Sequence, residues 1–484
     1  MNPNPQSHQW SSAPALWSRA IAQPACEFEL QPLSVLSGHL PLGLRGSLYR
    51  NGPARFERGQ QRVQHWFDGD GAILALHFDG HSCHGVYRYV QTPQFIAESQ
   101  RNQLLFNNYG TLPPGPWWQR WGKPFKNVAN TSVLPLPDRL LALWEGGRPI
   151  RLDSTNLMTL GVDDLGRLRS NATFSAHPKI DPQTGDIYNF GVQPGLTNQI
   201  HLYKSNPTGH IVQEANVPLS GIPLIHDWVM AGPYLIFCIP PVRLNPWLPL
   251  LSLQTFSQAL EWIPKLGTEI IVIHRKTLKV ISRRFHDPWF QWHFSNAYVP
   301  SPSFNRVVLE LVRYPNFDTN QHLKEVSSGQ LSLAAPSGYW QLHLDPQSAT
   351  ILDFFPLLAD TCEFPTIDPR LVGKPHRFAY VAIHHPHMDE KRELFSAIAC
   401  IDCHTGVVTR AELGTFCYPS EPIYVVDAEN PSQGWVLTIV FNGSQESSEV
   451  WIYNAQCLES APHCRLALPN SIPLGFHGAW KPVT

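Results

Sequence analysis

The sequence predicts an all-β chain, arranged as a seven-bladed β-propeller with loops and short helices capping one face. Composition is the first observation: charged residues make up 15%, against about 25% in typical globular chains. The chain also carries 45 prolines and 16 tryptophans. Few charges and many prolines favour short strands joined by loops over long helices. The second observation is a hairpin that recurs along the chain.

Each predicted hairpin is a strand-like run, a polar turn and a second strand-like run. Asp, Asn, Ser and Gly occupy the turns, as they do in β-turns. The hairpins recur about every 50 to 75 residues, which indicates a repeat, and a four-stranded propeller blade needs about 40 to 50 residues. Six or eight blades, or a pair of β-sandwiches, are the alternatives. The seven hairpins span residues 72–88, 149–161, 200–214, 270–284, 340–354, 397–412 and 450–466.

The blades are expected to form a single domain over residues 1–484. Residues 1–35 are interpreted as an N-terminal extension packed on the propeller. Residues 240–265 are interpreted as an apolar insertion that belongs to the cap, because the excess length of each repeat must become loops on one face.

Charge and cysteine content narrow the partners and the compartment. The 36 basic and 38 acidic residues give a net charge of −2, so no basic stripe is available for a nucleic-acid backbone. The N-terminus lacks the pattern of a signal peptide, and no apolar run reaches the roughly 18 residues of a spanning helix. The nine cysteines are scattered and odd in number, which is typical of reduced thiols. We therefore expect a cytoplasmic protein.

Four histidines and three glutamates stand in unusual apolar or glycine-rich contexts. Three of these histidines precede different predicted hairpins, and the fourth follows the last one. A strand that precedes an outer hairpin lies toward the propeller axis, so residues distant in sequence can meet there. The four segments with histidine are 175–178, 225–228, 292–297 and 476–480, with His177, His226, His293 and His477. The glutamates are Glu145, Glu363 and Glu421.

This set of residues resembles the site of the carotenoid cleavage oxygenases. The resemblance extends over nearly the whole chain, from Gly46–Pro53 through Trp66–Gly71 and Asn127–Ser132 to Phe476–Trp480. It implies that the four histidines bind one iron(II) per chain, with dioxygen as co-substrate. It also implies that the three glutamates accept hydrogen bonds from the ring nitrogens that face away from the metal. His177 is then the histidine without a glutamate.

The resemblance further implies a dioxygenase that cleaves a conjugated double bond into two carbonyl products. Within the family the chain is most similar to the cyanobacterial enzymes that cleave apocarotenoids, which yield retinal. A stilbene-cleaving enzyme, a 9,10-carotenoid-cleaving enzyme and a non-catalytic propeller that binds carotenoid or protein are the alternatives. Thr131 resembles a position beside an open site on the iron. Residues expected to line a tunnel for an apolar polyene, or else to pack in the core, are Phe67, Trp144, Trp292 and Phe364.

Two loop-like stretches, residues 113–121 and 244–262, are apolar and rich in tryptophan. They are interpreted either as buried cap segments or as a peripheral membrane contact that collects a lipid-soluble substrate. The sequence leaves this choice and the oligomeric state open.

Two other motifs compete with this interpretation. The segment 400–404 matches the haem-attachment pattern, but it is predicted to lie in a β-strand that leads into a turn. The segment 384–387 contains three histidines and is interpreted as a polar loop.

Overall fold

Seven antiparallel sheets form a closed ring in the computed structural model, which describes residues 15–301, 305–385 and 388–483. The ring confirms the predicted seven-bladed propeller. The first 14 residues of the N-terminal extension and part of the segment 384–387 lie outside the described residues.

Each blade is one sheet whose first strand lies nearest the axis, where it packs against the first strands of neighbouring blades. From the inner to the outer edge, blade 2 consists of Ser132–Pro135, Leu140–Leu143, Ile150–Leu152 and Thr159–Val162. In the same order, blade 3 consists of Lys179–Ile180, Ile187–Gln193, Gln199–Ser205 and Ile211–Pro218. Blade 4 consists of Val229–Ala231, Tyr234–Ile239, Thr268–His274 and Lys279–His286. Blades 5 and 6 consist of Phe294–Tyr298, Val307–Arg313, Gly338–Asp345 and Thr350–Leu358; and Cys362–Thr366, Phe378–Ile383, Ala397–Asp402 and Val408–Glu412.

Blades 1 and 7 are built from both ends of the chain, and this closes the ring. The strand Gly478–Pro482 pairs with Arg45–Arg55 as the innermost strand of blade 1. From the inner to the outer edge, blade 1 continues with Asp70–Asp79, Cys83–Tyr89 and Phe28–Pro32. Blade 7 begins with Cys417–Pro419 and Ile423–Val426, both paired with Gly434–Asn442, and continues with Ser447–Asn454, Cys464–Ala467 and Val35–Gly38.

The seven predicted hairpins are all present, as neighbouring strands of the seven blades. Turn chemistry explains why they could be read from the sequence. Gly209 and Gly406 end two of the turns with φ values of 86° and 72°, a left-handed region that glycine enters without steric cost.

Burial follows from the position of a strand in its blade. In the third strand of blade 4, Ile270, Ile271, Val272 and Ile273 are all fully buried, because neighbouring blades cover both faces. The outer strand Ile211–Pro218 alternates between buried and exposed residues, as expected where one face meets solvent. The core therefore consists of the layers between blades.

Short helices and two small ribbons lie outside the blades. None of the helices among the described residues combines the length and apolarity needed to span a membrane. The ribbons are Glu57–Arg58 with Gln61–Arg62 and Val242–Leu244 with Leu260–Trp262. The α-helices are Pro93–Arg101, Trp117–Arg120, Trp247–Leu250 and Thr319–Val326. The 3-10 helices are Leu16–Ile21, Trp66–Asp68, Ser257–Ala259, Pro264–Leu266 and Pro369–Leu371.

Deleting residues 478–484 should lower the thermal unfolding midpoint by several degrees, because blade 1 loses its innermost strand and the ring opens. Deleting only residues 483–484 is the matched control, since it spares every pair between Gly46–Arg50 and Gly478–Pro482. Circular dichroism melts of both truncations and the parent would measure the effect. Equal midpoints for all three would show that this closure does not stabilise the ring.

Candidate metal centre and cavity

Four imidazoles meet on the propeller axis at one end of the inner strands. His177, His226, His293 and His477 stand one to three positions before the innermost strands of blades 3, 4, 5 and 1. His226 Nε2 lies 3.0 Å from His177 Nε2 and 3.1 Å from His293 Nε2. One nitrogen from each of the four rings lies within 4.8 Å of the other three. The four rings can therefore share one ion.

Glutamates stand behind three of the four imidazoles. Glu363 Oε2 lies 2.5 Å from His293 Nδ1. Glu421 Oε1 lies 2.8 Å from His477 Nδ1, and Glu145 Oε1 contacts His226 Nδ1. A carboxylate accepts hydrogen bonds, so each Nδ1 carries the proton and each Nε2 presents a lone pair. The glutamates thus set the tautomer that a metal needs.

The glutamates are themselves held in place by neighbours that the sequence analysis did not single out. Tyr314 donates its hydroxyl to Glu363 Oε1 at 2.9 Å. Arg50 and the backbone N–H of Gly478 donate to Glu421 Oε2 at 2.9 and 2.8 Å. Arg50 lies in the glycine-rich segment 46–53, which belongs to the family resemblance, but the sequence does not indicate that Arg50 contacts Glu421. Tyr314 carries no signal in the sequence.

His177 has no glutamate behind it. Its Nδ1 lies 4.0 Å from Asp227 Oδ1, which is too long for a hydrogen bond. Asp227 instead accepts from Lys179 Nζ at 2.7 Å and from the backbone N–H of Phe294 at 2.9 Å. Asp227 follows His226 directly in the sequence, and only the fold reveals that it links three inner strands.

Burial and the carboxylates control the charge of the site. Burial, reinforced by the other histidines, lowers the pKa of His177 well below its usual value. Burial also lowers the pKa of His477, and Glu421 offsets only part of this effect. For His293 burial acts in the same direction, but Glu363 outweighs it and raises the pKa. Burial opposes ionisation of Glu363, yet His293 lowers its pKa below the usual value.

The centre opens into a cavity of about 430 Å³. All five residues expected at a substrate line its wall, together with the three histidines of blades 4, 5 and 1. Trp292 packs edge-on against Phe67, with ring centroids 5.6 Å apart, and against His226, at 5.0 Å. The five residues are Phe67, Thr131, Trp144, Trp292 and Phe364.

A bulge allows Glu363 and Phe364 to face the same site although they are neighbours in one strand. Side chains of consecutive strand residues normally point to opposite faces. The pairing of blade 6 shifts register between Glu363 and Thr366, and Phe364 has a left-handed φ of 57°. The backbone N–H of Phe364 donates to Glu363 Oε2 at 2.7 Å. This local strain, typical of functional sites, places a carboxylate behind His293 and a ring in the cavity.

A second cluster of potential ligands, Glu310, His376 and Cys403, is a hydrogen-bond network. Asn296 donates its amide to His376 Nδ1 at 3.1 Å. In the neutral ring, His376 Nε2 then carries the proton, and a protonated nitrogen cannot bind a metal. Tyr339 also donates to Glu310, at 2.6 Å. The cluster therefore joins blades 5 and 6 through hydrogen bonds.

Comparison with known proteins identifies the family to which the chain belongs. The family model of the retinal pigment epithelial membrane protein, RPE65, matches residues 21–482. The chain belongs to this family. Apocarotenoid-15,15′-oxygenase of Synechocystis sp. is 30% identical over 99% of this chain and 98% of its own length. Resveratrol cleavage oxygenase 1 of Aspergillus fumigatus is 25% identical over 92% of this chain and 91% of its own.

A solved structure of cobalt-substituted Synechocystis apocarotenoid oxygenase is also similar. It has a TM-score of 0.89 and 29% identity, covering 97% of this chain and 98% of that one. The predicted relationship to the carotenoid cleavage oxygenases is confirmed, and the chain is an oxygenase of this RPE65 family. The interpretation as a non-catalytic propeller is set aside.

One wall of the cavity depends on Asp68, a fully buried carboxyl group. Asp68 accepts hydrogen bonds from the Gly110 N–H at 3.1 Å and the Thr111 hydroxyl at 2.5 Å. Tyr109, which directly precedes Gly110 in the sequence, lines the cavity. Burial raises the pKa of Asp68 to about 7.

The free energy of unfolding should therefore fall as the pH rises from about 4 to 7. The folded chain binds a proton that the unfolded chain, with a pKa of about 3.9 for aspartate, has released. An Asp68→Asn variant cannot titrate, so wild type should lose stability relative to it between about pH 5 and pH 8. Urea midpoints of both proteins at these two pH values would measure the change. An unchanged difference would contradict the titration.

Proposed function

We propose that this protein is a non-haem iron(II) dioxygenase that cleaves a conjugated double bond of an apocarotenoid into two carbonyl products, one of them retinal. The observation that carries the proposal is a group of four imidazole rings, with one nitrogen of each close to the other three, at the end of an apolar cavity. The similarity to the Synechocystis enzyme over the whole chain supports the substrate class.

The donor set fits a divalent metal ion. Glutamates fix protons on the Nδ1 atoms of His226, His293 and His477, so the unprotonated Nε2 atoms of His226 and His293 face each other at 3.1 Å. Such lone pairs repel one another unless a cation lies between them. We assign His177, His226, His293 and His477 as the ligands and one iron(II) per chain as the ion. Iron(II), when bound by nitrogen ligands with a position left open, activates dioxygen.

The protein's own residues orient the ligands and the substrate. Glu145, Glu363 and Glu421 hold three imidazoles in the metal-binding tautomer. Phe67, Trp144, Trp292 and Phe364 offer flat faces to a polyene and keep water from the reacting bond. Thr131, which lies among the inner-strand residues near the axis and lines the cavity, is assigned to an open position beside the metal.

Stilbene cleavage and 9,10 cleavage of a carotenoid are the alternatives within the family. The resveratrol-cleaving relative favours the first, at lower identity than the apocarotenoid oxygenase. Aerobic reactions of iron-loaded protein with β-apo-8′-carotenal, β-carotene and resveratrol, separated by HPLC, distinguish them. Retinal from the apocarotenal supports the proposal. Products from another substrate alone would contradict it and identify the alternative.

Replacing His293 by alanine should abolish iron binding and cleavage, because it removes one of the four proposed ligands and leaves a hole in its place. Glu363→Gln should lower iron affinity or rate by roughly 10- to 100-fold, because a neutral amide accepts a weaker hydrogen bond. Metal analysis by mass spectrometry and HPLC of the products measure both effects.

His210→Ala is the matched control, because His210 is exposed on an outer turn and should keep full iron content and activity. Full iron and activity in His293→Ala would refute the ligand assignment. An unchanged Glu363→Gln would remove Glu363 from its assigned role.

We also propose that a cytoplasmic form of the protein touches membranes through an apolar patch, the exposed side chains of residues 117–121 and 247–253. Trp118, Trp121 and Trp247 are 63%, 61% and 73% exposed. The second loop is anchored to the chain that precedes the first loop, since Asn107 donates to the Ser252 hydroxyl at 2.7 Å. Nearby residues line the cavity, namely Phe125, Leu244 and Phe256. Residues 240–265 then form part of the cap, and a lipid-soluble substrate passes from membrane to cavity.

The double variant Trp118→Ser, Trp247→Ser should bind liposomes less than wild type, because two large apolar side chains no longer enter the interface. Cosedimentation with phosphatidylcholine vesicles would measure the bound fraction. Leu352→Ser is the matched control, since Leu352 is 55% exposed on the outer strand of blade 5 and its loss should change nothing. Equal binding of all three proteins would refute the membrane contact.

A further inference from the structure

The cavity has a polar end away from the metal centre, formed by blade 6 and the helix Thr319–Val326. Ring contacts lead there from His293 through Phe364 and Phe395 to His384, with centroid distances of 5.7, 6.4 and 4.8 Å. Four polar residues line this end: His322, Thr361, His384 and Glu390. The metal centre does not use any of them.

His322 presents a lone pair to this end. Its Nδ1 lies 2.7 Å from the carbonyl oxygen of Leu333, which can only accept, so Nδ1 carries the proton. Burial lowers the pKa of the ring, which keeps it neutral. The Nε2 atom of His322 is therefore a hydrogen-bond acceptor. Among the described residues, no side chain donates to it.

His384 is the residue whose polarity is not satisfied. The residue is 6% exposed, and its Nδ1 is sealed in protein with no hydrogen-bond partner in the described part of the chain. Burial lowers the pKa of His384 to about 3, so the ring is neutral. A sealed N–H without an acceptor is rarer than a sealed lone pair. The proton therefore belongs on Nε2, where it can be donated to a ligand.

Thr361 and Glu390 add acceptors. The backbone N–H of His384 donates to the backbone carbonyl of Thr361 at 3.2 Å. This bond places both residues at the same end of the first two strands of blade 6. The Thr361 hydroxyl donates to Glu390 Oε2 at 3.0 Å, so its own lone pairs remain. A carboxylate accepts and does not donate. The polar end thus offers several acceptors and one donor.

We infer that this end of the cavity binds a hydroxyl group at one terminus of the polyene, with His322 Nε2 accepting its proton and His384 Nε2 donating to its oxygen. A hydroxyl group both donates and accepts, whereas an aldehyde only accepts and leaves His322 unpaired. A carboxylate end is disfavoured by Glu390. The inference rests on the proposed function and makes His322 and His384 determinants of its substrate specificity.

The hydroxyl can sit on the ring or on the linear end of an apocarotenoid. Three probes separate these sources: β-apo-8′-carotenal without a hydroxyl, 3-hydroxy-β-apo-8′-carotenal with one on the ring, and β-apo-8′-carotenol with one on the linear end. One hydroxylated probe should exceed the plain aldehyde in kcat/KM by about tenfold, since the plain aldehyde leaves a buried polar group unpaired.

His322→Phe and His384→Phe should remove this preference while both keep a flat ring in the wall. The readout is the ratio of kcat/KM for two probes on the same protein, which cancels differences in folding and iron content. His322→Gln keeps an acceptor and should retain part of the ratio, as a check if a phenylalanine variant is unstable. A preference that survives both phenylalanine variants, or its absence in wild type, overturns the inference.

Binding without turnover separates this inference from the proposed function. Quenching of tryptophan fluorescence by each probe under anaerobic conditions gives a dissociation constant whether or not cleavage occurs. Tighter binding of a hydroxylated probe, lost in both phenylalanine variants, supports the polar subsite even if no probe is cleaved. Cleavage with equal affinity and equal kcat/KM for all three probes leaves the oxygenase standing and refutes the subsite.

Discussion

The start of each inner strand is the constraint on which this structure depends. Seven blades surround one axis, so the residues within three positions of the start of their inner strands must meet. From blade 1 to blade 7 these positions hold His477, Thr131, His177, His226, His293, Glu363 and Glu421. The arrangement supplies four nitrogen donors, two of the carboxylates behind them and one hydroxyl without a dedicated loop. The third carboxylate, Glu145, comes from the turn after the second strand of blade 2.

Charge separates the two layers of this centre. Imidazoles surround the axis, and carboxylates stand one ring farther out, where they would strengthen the imidazoles as ligands without occupying positions on a metal. The outer carboxylates are in turn fixed by Arg50 and Tyr314. A metal held by the four imidazoles would be reached by small reactants from the cavity, whose wall is largely apolar. Because most of this wall is apolar, a bound substrate can form hydrogen bonds at only a few places. Polar residues far from the centre therefore indicate which polar groups a substrate carries.

Local chemistry explains what the sequence could predict. Hairpins were legible because their turns need Gly, Asn or Asp at fixed places, as at Gly209 and Gly406. Inner strands could not be predicted in this way. Lys179–Ile180, for example, has only two residues and therefore shows no periodicity. The histidines were identified through family resemblance, because periodicity and spacing did not distinguish them. Asp227, Arg50 and Tyr314 act through contacts that exist only after folding, and the left-handed backbone of Phe364 has no signature in its residue type.

Closure of the ring by Gly478–Pro482 has a consequence for biosynthesis. His477 precedes this strand directly, so the fourth imidazole leaves the ribosome after all seven blades have been translated except for that strand. The other three imidazoles, of His177, His226 and His293, are translated much earlier. The group of four imidazoles is therefore complete only once the chain can close its first blade.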